Sequence, residues 1–581
     1  MPIAQLNIPP GVVRGKTPLQ TKGRYWDANL VRWRSGALIP VGGWQRITAA
    51  ADLDSTCRTI FSWAVNNGTK YILFGCENKL YLLDGATYSD VTPAGYVAPD
   101  NSTGGGYGSW DYGQLLYGED TGTVDPLDER PASPFYVPTF SWTIDNWGEE
   151  ILAVASSDGR LLHFEAAEGA AHVVGVTPIA SASRVSNVVT VTTNGHHGLS
   201  SGNTVNIAGN LESSFNGTWV IVSVPTGTTF TFSDSGANAT GTGGEVELPG
   251  VPTGNIGVIV TPERHAVLIG AGGYPRRVAW SSRENYNDWD FSSTTNTAGY
   301  LDLETATSLK MCAAVREGTL IWTEDEVWLM KFIGLPYVYS IERIGFGCGL
   351  IAPRAFATTA GRCIWMGRES FWMYDGGVVK PLLCDVGAYV FDDIDPDSGS
   401  LYTTGAESNL FSEAWFWYPS SGETTPNKYV AYNYAEQWWT IGEMSRTAAC
   451  GAGAFPHPIA TDGNNTAYYQ EDGLTAAGDA ILSDRYAETG AINMSNGSVL
   501  SSVRQFMADS EYGYDRTQLT VYSSFTPEGE ETVSGPFLSR SDGYTDVRVT
   551  GRDFRLKISA TQDQDWTIGE MRFDFMPRGS R

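Results

Sequence analysis

Five times along this chain an aromatic and β-branched run meets a Gly or Asn turn, or a charged one, and doubles back into a second run of the same kind. The text reads YILFGCENKLYLLDG at Tyr71 to Gly85, ILAVASSDGRLLHFE at Ile151 to Glu165, TLIWTEDEVWLMKF at Thr319 to Phe332, RCIWMGRESFWMYDG at Arg362 to Gly376 and IATDGNNTAYYQEDG at Ile459 to Gly473. Each is a hairpin of period two whose aromatic face is too large to bury alone, so several must stack around a shared core. A β-propeller is the architecture that such a repeat specifies.

A chain of 581 residues exceeds one compact core, and about two to four domains are expected. Only 18% of residues are charged while Gly, Trp and Tyr number 66, 19 and 28, a balance suited to short strands, tight turns and large aromatic packing units. No apolar run approaches the roughly 18 to 20 residues that span a bilayer, and MPIAQLNIPPGVVRGK lacks a signal-peptide core, so the chain reads as made and kept soluble in a cytoplasm. Cys57, Cys76, Cys312, Cys348, Cys363, Cys384 and Cys450 are an odd, dispersed set without CxxC spacing. They read as small buried hydrophobes rather than as disulfides or a zinc site. A formal net charge of −27 repels phosphate and argues against tight DNA binding, although a wall along which DNA slides without sticking has this character.

Residues 1–50 form a distinct arm with two strand signals, Tyr25 to Arg34 and Leu38 to Ile47, joined at Ser35 and Gly36. Propeller text occupies 51–175, interrupted by a Gly/Tyr/Pro stretch at 93–139 that contains GGGYGSWDYGQLLYG. A loop of that length is more often functional or inter-subunit than idle. From 176 to 248 the composition turns to Thr, Val, Ser, Asn and Gly. Strands are legible at Asn187 to Thr193, Thr204 to Ala208, Gly217 to Val224 and Thr229 to Ser233, a small β-sandwich or barrel inserted between propeller strands. The propeller resumes over 249–475, including KYVAYNYAEQWWTIG at Lys428 to Gly442, for about six or seven blades in all. Alternating strands over 476–581 describe a C-terminal antiparallel β-sandwich. The fold class is thus all-β.

The Trp-Asp pair, the alternating VRWR strand, the Ser-Gly turn and the following GGW resemble the opening of tail proteins from short-tailed phages, the hub, nozzle and packaged-DNA-stabilisation proteins. The GYG-rich stretch after the first blade-like unit, the Thr/Val-rich inserted module and the terminal WTIGEMRFDFMPRG strand are similar to features of the same family. What this resemblance implies is a virion structural protein, a homohexameric ring in the tail that extends the DNA exit channel below portal and adaptor and seals the genome until ejection. It would be assembled in the host cytoplasm beside adaptor or head-to-tail proteins and tail needle or fibre proteins, with double-stranded DNA passing non-specifically.

Candidate chemistry is sparse. His196 and His197 sit in GHHGLS without acidic or cysteine ligands at matched spacing, and a turn between strands is sufficient to explain them. In DDIDPDSGS, Asp393, Asp395 and Asp397 alternate as calcium ligands would, but Gly399 falls one place late and Thr404 stands where a bidentate Glu is needed. GxxxxGK[ST], HExxH and repeated Asp-box motifs are missing, and nothing fixes Glu324, Asp325 and Glu326 at the separation that sugar hydrolysis needs. The expected protein is therefore not an enzyme and needs no cofactor. Trp26, Val31, Arg32, Trp33, Arg34 and Trp44 are the expected assembly residues, the apolar ones to be covered by the propeller or by a neighbour, with Arg14, Lys16, Lys22, Arg24 and Arg46 adding positive charge to the arm, either as solvated strand positions or as a docking surface for an acidic neighbour. Arg276 and Arg277 in GYPRRVAW are candidates for a narrow basic girdle in the channel, or else simply pair with nearby carboxylates. The alternatives are a receptor- or glycan-binding propeller of the tail and a propeller enzyme acting on polysaccharide.

Overall fold

A computed structural model describes residues 3–15, 21–48, 52–85, 87–99, 140–167, 169–195, 197–359, 361–482, 484–493, 498–511, 514–526 and 529–579. Most of the 93–139 stretch, Lys16 and His196 lie outside the described residues. Among the described residues, seven four-stranded antiparallel sheets form the blades of a propeller. The first strands, Cys57–Ala64, Trp142–Trp147, Gly257–Val260, Leu309–Val315, Phe356–Thr359, Thr404–Ser408 and Ala448–Cys450, touch one another in order, and the seventh returns to the first. In blades 1, 2, 4, 5 and 7 the repeated sequence hairpin supplies the second and third strands, for example Arg362–Met366 with Phe371–Asp375 in blade 5.

Tryptophans bolt neighbouring blades together. Trp142 of blade 2 donates its indole N–H to the Cys76 carbonyl of blade 1 (2.9 Å), and Trp365 of blade 5 donates to the Cys348 carbonyl that follows blade 4 (2.8 Å). In these two the large apolar ring and the bonded indole N–H both fix blade spacing. All seven cysteines are free thiols, five of them buried.

The connection from blade 2 to blade 3 carries the inserted unit. Its strands Val176–Val185, Val188–Thr193, Thr229–Ser233, Gly217–Thr226, Thr204–Ala208 and Glu245–Glu247 pair in that order, and the last returns to the first, closing a six-stranded barrel. Its own core includes Val189, Val191, Ile207, Phe230 and Phe232. The two ends of the insertion meet, since Leu248 N donates to the Gly175 carbonyl at 2.6 Å.

The arm differs from the expectation of a separate unit. Ile3–Leu6, Val31–Arg34 and Ala37–Pro40 join one sheet of the terminal sandwich with Leu500–Glu511, Tyr544–Gly551 and Thr567–Gly579. Tyr25–Asn29 joins the other sheet with Tyr486–Thr489, Asp553–Ala560, Thr517–Ser524 and Thr532–Leu538. The sequence segment read as one strand from Tyr25 to Arg34 breaks at Leu30 (φ 49°), where the chain steps between the two sheets; Ser35 (φ 51°) and Gly36 (φ 82°) then make the expected two-residue turn. The second segment breaks after Pro40, and Trp44–Arg46 becomes the outermost strand of blade 7. Short apolar strands lack a core of their own, and open sheet edges supply one. Both chain ends therefore build the sandwich, and the N-terminal part closes the propeller.

One hydrophobic cluster runs from blades 4, 5 and 6 (Trp322, Trp365, Phe416) into the sandwich (Val503, Leu556, Phe573), so the two units share a core. The arm lies across blade 6: Leu30 N donates to Tyr429 Oη (3.0 Å) and Glu443 N to Asn29 Oδ1 (2.7 Å). A Cβ on Gly442 would stand 2.5 Å from both Asn29 Oδ1 and Tyr429 Oη, which is why glycine occupies that place.

Candidate assembly surfaces

The arm residues fall into two groups. Val31 and Trp33 are fully buried facing the sandwich core, Trp33 against the Tyr25 ring at 4.8 Å. Arg32 points the opposite way and is also buried, at 2% exposure, because blade 6 covers that face. Its guanidinium lies 3.7 Å from the Phe411 ring centroid, 3.2 Å from Glu413 Oε1 without hydrogen-bond alignment, and in hydrogen-bond contact with Glu471. Glu471 also accepts from Gly42 N (2.8 Å), and Glu413 from the Trp415 indole (2.9 Å). Burial pushes Glu413 above the usual carboxylate range. Burial alone would lower Arg32, but the two carboxylates more than offset it and hold it above its ordinary value.

Val31, Arg32 and Trp33 are thus covered within the chain itself. Their work in the chain is to tie sandwich to propeller, so the covering comes from the chain's own domains and not from a neighbour. Trp26 is half-buried beside the Arg14 guanidinium (5.1 Å), which also lies 4.0 Å from the Tyr389 ring and pairs with Asp27 at 3.0 Å. Trp44 is half-buried under Arg446 (4.8 Å), and Arg34 is exposed. Arg46 pairs with Asp52, so much of the arm's positive charge is spent inside the chain.

Arg277 places its guanidinium fork on Asp302 (2.7 and 2.9 Å) between the rings of Tyr274 (4.0 Å) and Tyr300 (4.2 Å), and that pairing holds it above its ordinary value. Arg276 donates to the Thr305 carbonyl (3.2 Å). Pairing with a carboxylate, the simpler of the two sequence readings, describes Arg277. Asp393 is engaged by Lys428 (2.9 Å), and Asp395 accepts from Ser398 N (2.8 Å) and Gly422 N (3.1 Å), bonds that hold it below the usual carboxylate range. Asp397 donates its backbone N–H to Asp395 Oδ1 (3.1 Å). These aspartates are loop and helix fasteners, and among the described residues no group of three or more His, Cys, Asp or Glu is placed to hold a metal ion. His197 Nδ1 accepts from Leu199 N (3.0 Å) within its turn.

The surface that sequence reading missed is on blade 4. Its outer hairpin, Glu326–Gly334 with Val338–Phe346, outruns the second strand Gly318–Thr323, which pairs only as far as Met330. The projecting tip, FIGLPY, exposes Phe332 (43%), Ile333 (54%), Leu335 (76%) and Tyr337 (76%). Hairpin tips are ordinarily polar, and a contiguous apolar tip marks an interaction site. The signal in the sequence is the failure of alternation after Met330, where apolar residues run on through the turn.

The fold defines an all-β propeller protein with a barrel inserted between two blades and a sandwich woven from both chain ends. No protein-family model matches the chain, and no curated protein matches it. Among solved structures it is similar to the WD40 domain of Pan2 from Neurospora crassa (TM-score 0.28, 7% identity, covering 58% of this chain and 90% of that one). It is also similar to an exo-beta-1,3-galactanase from Phanerochaete chrysosporium, solved with galactose (TM-score 0.24, 10% identity, covering 92% of this chain and 100% of that one). Likenesses of this degree carry no argument about activity. Among the described residues no helix is long and apolar enough to cross a membrane.

Proposed function

We propose that the chain is a structural subunit of a short phage tail, a hub or nozzle component that assembles as a ring, with a homohexamer as the expected form. The tail assignment rests on the resemblance of the VRWRSG arm, the inserted module and the terminal strand. The observation that carries assembly is the projecting blade-4 tip. Four large apolar side chains stand in water on a chain whose two ends are already locked into its own core, and burying each is worth about 1.5–3 kcal/mol. Another copy of this chain is the partner that such a tip serves in a closed ring.

The propeller axis is not the DNA path in this reading. A duplex passes instead between copies in the ring, along a surface made acidic by the net charge of −27. The proposed role is non-enzymatic, and in it the buried His265, Tyr339 and Thr261 relay (3.0 and 2.8 Å) serves to bind blade 3 to blade 4. The mature protein would reside in the virion tail after assembly in the host cytoplasm, flanked by adaptor and by needle or fibre proteins. Negative-stain imaging of purified protein tests the reading: rings with an axial opening are expected, and isolated monomers at all concentrations would overturn it.

A further inference from the structure

We propose that the outer face of the terminal sandwich is a binding site for an anionic saccharide, a sugar chain bearing carboxylate or phosphate groups. The site is a cleft of about 600 Å³ lined by Ser502, Arg504 and Gln505 of one strand, Asp546, Arg548 and Thr550 of the next, and Asp574 and Arg578 of the third, a volume within the usual range for small-ligand sites.

The backbone is bent to make it. Between inward-facing Val503 and Phe506 the register slips against both neighbouring strands, so that Arg504 and Gln505 both line the cleft. Bulges re-aim side chains in this way and are found beside functional sites. Arg548 adds a second departure, a non-glycine residue at φ 57°, a conformation that costs energy and persists where the surroundings impose it.

The chemistry selects the ligand. Arg548 and Arg578 form no ion pair among the described residues, and Arg578 donates only to Ser502 Oγ (3.0 Å), which shares a hydrogen bond with Thr550 Oγ1 (2.6 Å). Arg504 directs an N–H toward Met576 Sδ (3.7 Å). Guanidinium forks match carboxylate and phosphate oxygens. Of the two carboxylates present, Asp546 is already engaged by Gln505 (2.8 Å) and Arg540 (2.8 Å), whereas Asp574 Oδ1 is buried without a hydrogen-bond partner. Asp574 lines the cleft, and a carboxylate there can accept from a sugar hydroxyl. A nucleic acid fits less well, because Asp546 and Asp574 repel a dense row of phosphates and the lining has no aromatic ring on which a base could stack.

Calorimetric titration of the full-length chain tests this with trigalacturonate as the carboxylate source, glucose 6-phosphate as the phosphate source, neutral maltotriose, inorganic phosphate and a single-stranded oligothymidylate. At least one acidic sugar should bind at millimolar concentration or below, with maltotriose silent. Arg548→Gly, which also relieves the positive φ, should weaken binding by about tenfold or more while the thermal transition is kept. Arg578→Gln, an exposed change, should act in the same direction. Asp574→Ala should weaken the acidic sugar but not inorganic phosphate. Silence of both acidic sugars, unchanged affinity in Arg548→Gly and Arg578→Gln, or oligothymidylate binding as tight as the sugars would each overturn the proposal.

Discussion

Arg32 shows how one side chain can decide the relation of two domains. Its removal leaves Glu413 and Glu471 buried without a counter-charge, a situation that typically costs about 3–5 kcal/mol. Arg32→Met should therefore lower the urea midpoint strongly, and adding Glu413→Gln and Glu471→Gln should restore much of the loss; an Arg32→Met chain as stable as the parent would deny the network its structural role. The residue was legible in sequence only as a strand position alternating with Val31 and Trp33. Its burial depends on blade 6, almost 400 residues away, folding over the same hairpin. Asp145 offers a second residue-scale test. Burial raises its carboxyl from 3.8 to about 6, with Val260 N (2.8 Å) and Asn146 N (2.9 Å) partly opposing the shift. A raised carboxyl favours the protonated fold, so its contribution is complete below pH 3.8 and is lost as pH rises through 6. Asp145→Asn, neutral throughout, should gain melting temperature relative to the parent at neutral pH compared with pH 3.8. A difference that stays constant with pH would mean that Asp145 titrates as a solvated group.

The strand pairs of period two were readable because each buries its aromatic face against the adjacent blade, a local pattern with a local cause. The barrel was readable for a similar reason: its Thr/Val text packs on its own core, and its ends meet at Gly175 and Leu248. Replacing residues 176–248 with a short Gly/Ser bridge should leave cooperative unfolding of the remainder by calorimetry. Broad, non-cooperative melting of the deletion would show that blades 2 and 3 need the barrel. The fate of the arm was not readable, because strand text states which residues pair but not which of several open edges receives them. Trp44–Arg46 finds the edge of blade 7 and Ala37–Pro40 the edge of the sandwich, pairings that join chain segments more than 400 residues apart. The apolar tip of blade 4 and the arginine cleft of the sandwich escaped notice for a related reason. Exposure at Leu335 and convergence of Arg504, Arg548 and Arg578 exist only once strand lengths and bulges are set.

On the scale of the whole molecule, an acidic propeller and sandwich joined by one core form a rigid building block, with its reactive feature at a projecting apolar tip. The charge of −27 predicts weak retention of duplex DNA in a filter-binding titration across salt, whereas submicromolar binding with a steep salt dependence would contradict a passive conduit. The most direct measurement is native mass spectrometry of the purified chain beside Leu335→Glu/Tyr337→Glu, two changes at sites 76% exposed that leave the fold's core untouched. A closed ring of fixed stoichiometry that falls to monomers in the double variant, with unaltered thermal unfolding, is the predicted result; a monomeric parent, or a ring indifferent to the two glutamates, would contradict it.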